Sequence, residues 1–409
     1  MITKPSRRTS RDIRSDSRLD VLHALLGVAS TTRSEIARQT GLSTATVTTI
    51  VGELAEEGVI VETRGALGGI GRPTARLSMN RDRGRIIGVD VAETYMRTVV
   101  FDATLTELAS SVVFYDEHAL DPAVILDGAA SEIRQVLERS ETSDDQVLGV
   151  GVSLPGIVQG DDGISVVVPH WRWRRLDLDH LRERVSFPLV IDNPLRALTT
   201  AELWLGRGRE NTSLATVNLG TGVGAGLVID GRIFRGATNS AGEWGHSLLR
   251  LDGRECRCGR RGCVEAYVGA PGIQQTLREI EPGHELASID RQRDFIQAAA
   301  ALAASDPAIR ETISRTAYYL GAALADLAAV VNPETIALTG WTSWELSEYL
   351  LPEAREHLIA QAPGRAGERV RLELSSVAGN PVAIGMATIA LERFLVDAGL
   401  LTSRIHVAF

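Results

Sequence analysis

Cysteine is nearly absent from the sequence: of 409 residues only three are Cys, and all lie between positions 256 and 263. A disulfide framework is excluded, because such scaffolds need several cysteines at distributed spacings. Long apolar runs are missing too. No stretch reaches the ~18 residues that a bilayer-spanning helix requires, so no membrane partner is expected. Nothing behind Met1-Ile2-Thr3-Lys4-Pro5-Ser6-Arg7-Arg8 has the apolar core of a secretory leader. Together these absences predict a cytoplasmic protein. In a reducing compartment, clustered cysteines read as a metal site.

What is present is unevenly placed. Residues 1–85 carry 14 basic and 9 acidic side chains, while the rest carries 29 and 43. A basic head on an acidic body predicts a polyanion partner at the head only. A solvated basic tail is the alternative that charge alone leaves open.

The periodicity divides the chain accordingly. Residues 1–17 are polar and Arg-rich and read as disordered. Leu19, Leu22, Leu25 and Leu26 have helical spacing, Thr32 can cap a second helix, and Ser43 can cap a third. In the third, Val47, Ile50, Val51 and Leu54 repeat at i, i+3, i+4, i+7. Gly58 ends it, and a hairpin with a glycine-rich tip follows. Residues 18–80 thus outline a winged helix-turn-helix, with 81–85 as a linker. From Ile86 the order becomes three strands, helix, strand, helix, and it repeats after residue 206. Two such halves predict a two-lobed, duplicated α/β body of the ribonuclease-H-like, actin and sugar-kinase class. Its lobes would be 86–205 and 206–409, with a closing helix over 381–398 packing back on the first lobe.

The sharpest motif surrounds the cysteines. His246 precedes Cys256, Cys258 and Cys263, and one imidazole with three thiolates suits tetrahedral zinc. Four protein ligands leave no open position, so the role is structural: the ion would pin the loop 242–267. Arg254, Arg257, Arg260 and Arg261 could offset the site's net negative charge.

Gly242-Glu243-Trp244-Gly245-His246, followed by Cys256-x-Cys258-Gly259-x-x-Gly262-Cys263-x-Glu265, resembles the signature of the ROK family (repressors, open reading frames, kinases). Gly151–Val158 and Gly71-Arg72-Pro73 resemble further family segments, the latter from its repressor branch. The likeness covers nearly the whole chain and points to regulators of the xylose and N-acetylglucosamine repressor type. It implies a small-molecule sugar ligand in a cleft between the lobes, held by Asn193, Glu243, His246 and Glu265. Carboxylates can accept from vicinal hydroxyls, and an amide can donate and accept. Trp171 and Trp173 fall where the family's sugar cleft is lined, although paired tryptophans are more often packing.

The same resemblance argues against kinase chemistry. The base that family kinases use falls at Pro194, and proline takes no proton. Their first phosphate loop, Asp-x-Gly-Gly-Thr, is here Asp90-Val91-Ala92-Glu93-Thr94, and Glu93 repels a triphosphate. The second loop, Gly220–Gly226, survives. No catalytic residue is therefore expected.

The third helix offers Ser43, Thr44, Thr46, Thr48 and Thr49 to DNA, and it has no Arg or Lys to read guanine. Arg64 and Arg72 flank the wing, and by resemblance Arg72 enters an A/T-rich minor groove. The expectation is a homodimeric or homotetrameric, sugar-responsive repressor on a double-stranded operator, with structural zinc as its cofactor. Two rivals stand: an ATP-dependent sugar kinase with a DNA-binding head, and a regulator governed by a protein partner.

Overall fold

The computed structural model describes residues 10–64, 75–115, 122–159, 165–167 and 178–402. They form two compact units. The first runs to Val166, resumes through Leu205 and closes with the segment from Gly379; the second is chiefly Gly206–Ala378.

The first unit opens with α1 (Ser10–Leu25), α2 (Arg33–Thr40), α3 (Thr44–Glu56) and the hairpin β1 (Ile60–Arg64) and β2 (Ala75–Met79). Thr32 and Glu35 form a reciprocal capping box at α2. Ser43 caps α3, its Oγ accepting from Thr46 N–H at 3.1 Å. Val47, Ile50, Val51 and Leu54 are buried on one face of α3. Helix α1 begins within the stretch 1–17 that the sequence marks as disordered. Tertiary partners supply what polar composition lacks. Ser15 Oγ accepts from Thr402 N–H at 2.9 Å, and Arg14 and Arg18 both pair with Glu53. Residues 81–85, the expected linker, are ordered. Arg81–Arg83 form a single 3-10 turn, and Arg81 reaches the buried Asp102 at 2.6 Å.

The body follows with β3 (Arg85–Val91), β4 (Tyr95–Asp102), β5 (Glu107–Phe114), α4 (Pro122–Arg139), β6 (Val147–Ser153), the short pair β7 (Ile157–Gln159) and β8 (Ser165–Val167), α5 (Asp179–Arg184), β9 (Leu189–Asp192) and α6 (Pro194–Leu205). Its sheet has the order β5-β4-β3-β6-β9, with β3, β6 and β9 parallel.

The second unit holds β10 (Leu214–Leu219), β11 (Val223–Ile229), β12 (Arg232–Ile233), α7 (Glu265–Val268), α8 (Ala270–Ile280), α9 (Gln292–Leu302), α10 (Pro307–Val331), β13 (Thr335–Thr339), α11 (Trp341–Gln361), α12 (Ala366–Arg369) and β14 (Arg371–Leu374). Its sheet order, β12-β11-β10-β13-β14, repeats that of the first, as expected of a duplicated fold. Asp230 and Gly231, at φ 53° and 70°, make the two-residue turn between β11 and β12. The closing helix α13 (Pro381–Asp397) returns to the first unit, packing on β3, β6 and α6.

Candidate functional site

Three groups of residues carry chemistry. The first is the exposed start of α3. Ser43, Thr44, Thr46, Thr48 and Thr49 are all exposed, opposite the helix's buried stripe. Two of the hydroxyls are turned inward: Thr48 Oγ1 donates to Thr44 O at 2.7 Å, and Thr49 Oγ1 to Ala45 O at 3.1 Å. With their protons spent on the backbone, Thr48 and Thr49 present methyl groups and acceptor lone pairs, while the Ser43 and Thr46 hydroxyls bond each other at 2.8 Å. That surface suits thymine methyls and base amino groups better than phosphates. The helix N-terminus supplies the positive end of a dipole instead. Arg38 stands exposed in the last turn of α2, unmarked by any pattern in the sequence. Arg64 closes β1, while Gly71-Arg72-Pro73 and Trp171 and Trp173 lie outside the described residues.

The second group is a His/Cys cluster that could hold a metal ion. Gly242 and Gly245 let the segment lie on β11: a Cβ at these positions would fall 1.9 Å from Ala225 O and 2.0 Å from Val223 O. The 3-10 turn Glu243–His246 is thereby set against the strand. A knuckle follows, with Gly259 at φ 83° donating to Cys256 O. His246, Cys256, Cys258 and Cys263 converge, their ligand atoms all within 4.8 Å of one another. A tetrahedron with ~2.3 Å metal–sulfur and ~2.0 Å metal–nitrogen bonds has edges of about 3.8 Å between sulfurs and about 3.5 Å from sulfur to nitrogen. Cys258 Sγ lies 3.8 Å from Cys263 Sγ, and Cys256 Sγ lies 3.6 Å from His246 Nδ1. Without a metal, burial pushes the thiols of Cys256 and Cys263 up, so an incoming cation must displace protons.

The surrounding arginines are not equivalent. Arg254 is buried and turned away, paired with Glu279 at 2.6 Å and donating to Thr276 and to the carbonyls of Ala266 and Gly272. It anchors the knuckle to α8 and does not offset the thiolates. Arg261 pairs with Glu255 and Arg257 with Glu265. Arg260 donates to His246 O at 3.2 Å and lowers the Cys263 thiol against the pull of burial.

The third group comprises the residues assigned to a sugar. Glu243 and His246 share the 3-10 turn, and the Nδ1 of His246 faces Cys256 Sγ at 3.6 Å. Glu265 is buried; its Oε2 accepts Val223 N–H at 3.0 Å, and its Oε1 faces Cys256 Sγ at 3.5 Å. Asn193 lies in the first unit, just before α6, where its Oδ1 accepts Arg196 N–H at 2.9 Å. That bond leaves Nδ2 to donate. Pro194 is the first residue of α6. The neighbouring carboxylate, Asp192, is sealed in a buried pair with Arg196 at 3.0 Å and also accepts Asn193 N–H.

Asp90, and Gly220 and Gly222 of the Gly220–Gly226 loop, each contact side chains of their own unit. Asp90 is buried and accepts from Tyr95 Oη and Asn380 Nδ2, each at 3.0 Å; burial pushes its carboxyl up. In the second unit, a Cβ on Gly220 would meet the Trp341 ring at 3.1 Å, and one on Gly222 would meet Arg257 and Glu265. The glycines of this loop accommodate side chains of the same chain.

Comparison with known proteins places this geometry. The ROK family model matches residues 86–393, and a winged helix-turn-helix DNA-binding model matches residues 14–61. The chain is 26% identical over 379 residues to the xylose repressor of Bacillus spizizenii, covering 92% of this chain and 94% of that one. It is 29% identical over 307 residues to a glucokinase of Halalkalibacterium halodurans, covering 73% and 92%. Among solved structures, a ROK family transcriptional regulator described as a homologue of the E. coli Mlc protein superposes with a TM-score of 0.75 at 23% identity, covering 96% of this chain and 99% of that one.

Proposed function

The chain belongs to the ROK family, and from that membership we propose that it is a sugar-responsive, DNA-binding repressor whose kinase-like body binds a carbohydrate without phosphorylating it. The observation that carries the second half is Pro194, which stands where the family's kinases hold their base, beside an Asp192 neutralised by Arg196. General-base catalysis needs a group that can take the hydroxyl proton. Neither residue offers one.

In this reading the cluster of His246, Cys256, Cys258 and Cys263 holds zinc and keeps Glu243, His246 and Glu265 in register for sugar hydroxyls, with Asn193 as a further donor. The zinc is structural, since four protein ligands close the shell. Ser43, Thr44, Thr46, Thr48 and Thr49 read base edges. Arg64 and Arg72 add wing contacts, and Arg72→Ala weakens operator binding while leaving sugar binding intact. The protein acts as a homodimer or homotetramer, which sets paired heads on half-sites about 34–36 Å apart or multiples of that. Induction requires the sugar to prefer the state that binds DNA poorly.

The glucokinase relative defines the competing reading. Two measurements on the purified protein separate them. A thermal-shift panel of sugars should give a concentration-dependent rise for one of them, since binding stabilises by mass action. With that sugar and ATP, no ADP should form. ADP release at a rate that scales with protein establishes the kinase. A flat panel instead favours control by a protein partner.

A further inference from the structure

The DNA-reading helix is tied to the body by two arginines, each bridging α3 to the far end of α13. Arg18, on α1, donates from Nε and Nη2 to Glu53 Oε2 of α3, at 2.9 and 2.5 Å. The same guanidinium donates from Nη1 to Leu400 O at 2.9 Å and Gly399 O at 3.4 Å. These carbonyls belong to the turn that ends α13, where Gly399 adopts φ 74° and Leu400 N–H returns to Leu395 O. The cation thus sits at the negative end of the α13 dipole. Arg83 makes the second tie. Its Nε donates to Glu57 O, the C-cap of α3, at 3.2 Å, and its guanidinium stacks on the Phe394 ring of α13 at 4.9 Å.

Helix α13 has no slack to absorb motion. A Cβ on Gly88 of β3 would lie 1.9 Å from Ala383 O, and one on Gly151 of β6 would lie 2.2 Å from Met386 O. On the other flank, a Cβ on Gly385 would lie 1.9 Å from Ala197 O of α6. Helix α6 starts after Asn193, the residue assigned to sugar. It ends near Trp204, which donates to Glu392 of α13 at 2.6 Å and meets His23 of α1 edge-on at 4.2 Å. Packed interfaces of this kind shift between discrete arrangements; they do not deform smoothly.

We propose that Arg18 and Arg83 are positioning residues that fasten the DNA-reading helix to the end of α13, so that the first unit carries the reader as one rigid piece. Resting on the regulator reading above, a sugar then changes operator affinity only through this fastening. Spatial continuity alone does not establish coupling, so the test measures the fastening and its transmission separately.

The variants are Arg18→Met, Arg83→Met and, as a change that leaves α1 and α13 intact, Glu53→Gln. Hydrogen exchange on the full chain without ligand reads the fastening. Amides over 53–59 should exchange about tenfold faster in each variant, while those of α8 in the second unit stay unchanged. Unaltered exchange over 53–59 in all three overturns the fastening. Operator titration with and without the stabilising sugar reads the transmission. The ratio of the two affinities should fall towards one in Arg18→Met, with the sugar's own thermal shift preserved. A ratio equal to wild type overturns the transmission. If wild type itself shows no sugar response, the regulator reading fails, and the exchange measurement still decides the fastening.

Discussion

Arg254 shows how far a residue's role can depart from its type. A cation beside three cysteines reads as their counter-charge, yet its side chain serves Glu279, Thr276 and two helix carbonyls, under the Tyr267 ring at 4.7 Å. Arg254→Met strands those acceptors and should lower the unfolding free energy by at least ~2 kcal/mol. Urea unfolding of the full chain checks this, and an unchanged midpoint would remove Arg254 from the framework. Cys258→Ser should lower thermal stability and sugar affinity together, because one missing ligand loosens the turn that carries Glu243 and His246. Since burial raises the thiols of Cys256 and Cys263, metal binding has to release their protons and should weaken as pH falls. A chromophoric chelator titrated against the protein at several pH values reads both effects; a pH-independent affinity would mean that thiolates are not the ligands. The convergence of His246, Cys256, Cys258 and Cys263 was legible from residue types and spacing alone. The roles of Arg254 and Arg260 were not, because they depend on which elements the knuckle packs against.

Elements with strong local signals match the sequence closely. The β5 and α4 boundaries, the α3 cap at Ser43 and the turn at Asp230-Gly231 all follow from residues within a few positions of each other. Elements ordered by distant partners do not: α1 starts at Ser10 because Glu53 and Thr402 hold it. Helices α8 and α9 are amphipathic, with Ile273 and Leu277 buried in one and Phe295, Ile296 and Ala299 in the other, so their spacing was a readable signal that the motifs alone do not carry. Strand β3 has a cost of a different kind. Its Asp90 is buried, and burial pushes its carboxyl up even though Asn380 and Tyr95 donate to it. A carboxyl raised in the folded state holds its proton more tightly there. Its contribution to stability is present at low pH and is lost as pH climbs from the unfolded value, about 3.9, through the folded one. Asp90→Asn should therefore flatten the stability profile as pH climbs above about 4, as measured by denaturant unfolding. A curve parallel to wild type would show that Asp90 keeps an ordinary titration.

At the scale of the whole molecule, a basic head and a duplicated body were readable from charge segregation and from the repeated element order. The attachment of the head was not, because Arg18, Glu53, Arg83 and the α13 terminus are far apart in sequence and each reads alone as an ordinary surface residue. The proposed function makes the chain a carbohydrate sensor that reports to DNA. Its most direct test is an electrophoretic shift on DNA upstream of the protein's own coding sequence, at low salt because phosphate contacts are salt-sensitive. The titration is repeated with the sugar that most raises the melting temperature. The expected result is a specific complex whose affinity falls by about tenfold or more with that sugar, a coupling of ordinary allosteric size. No complex, or one equally tight with every sugar, would contradict it.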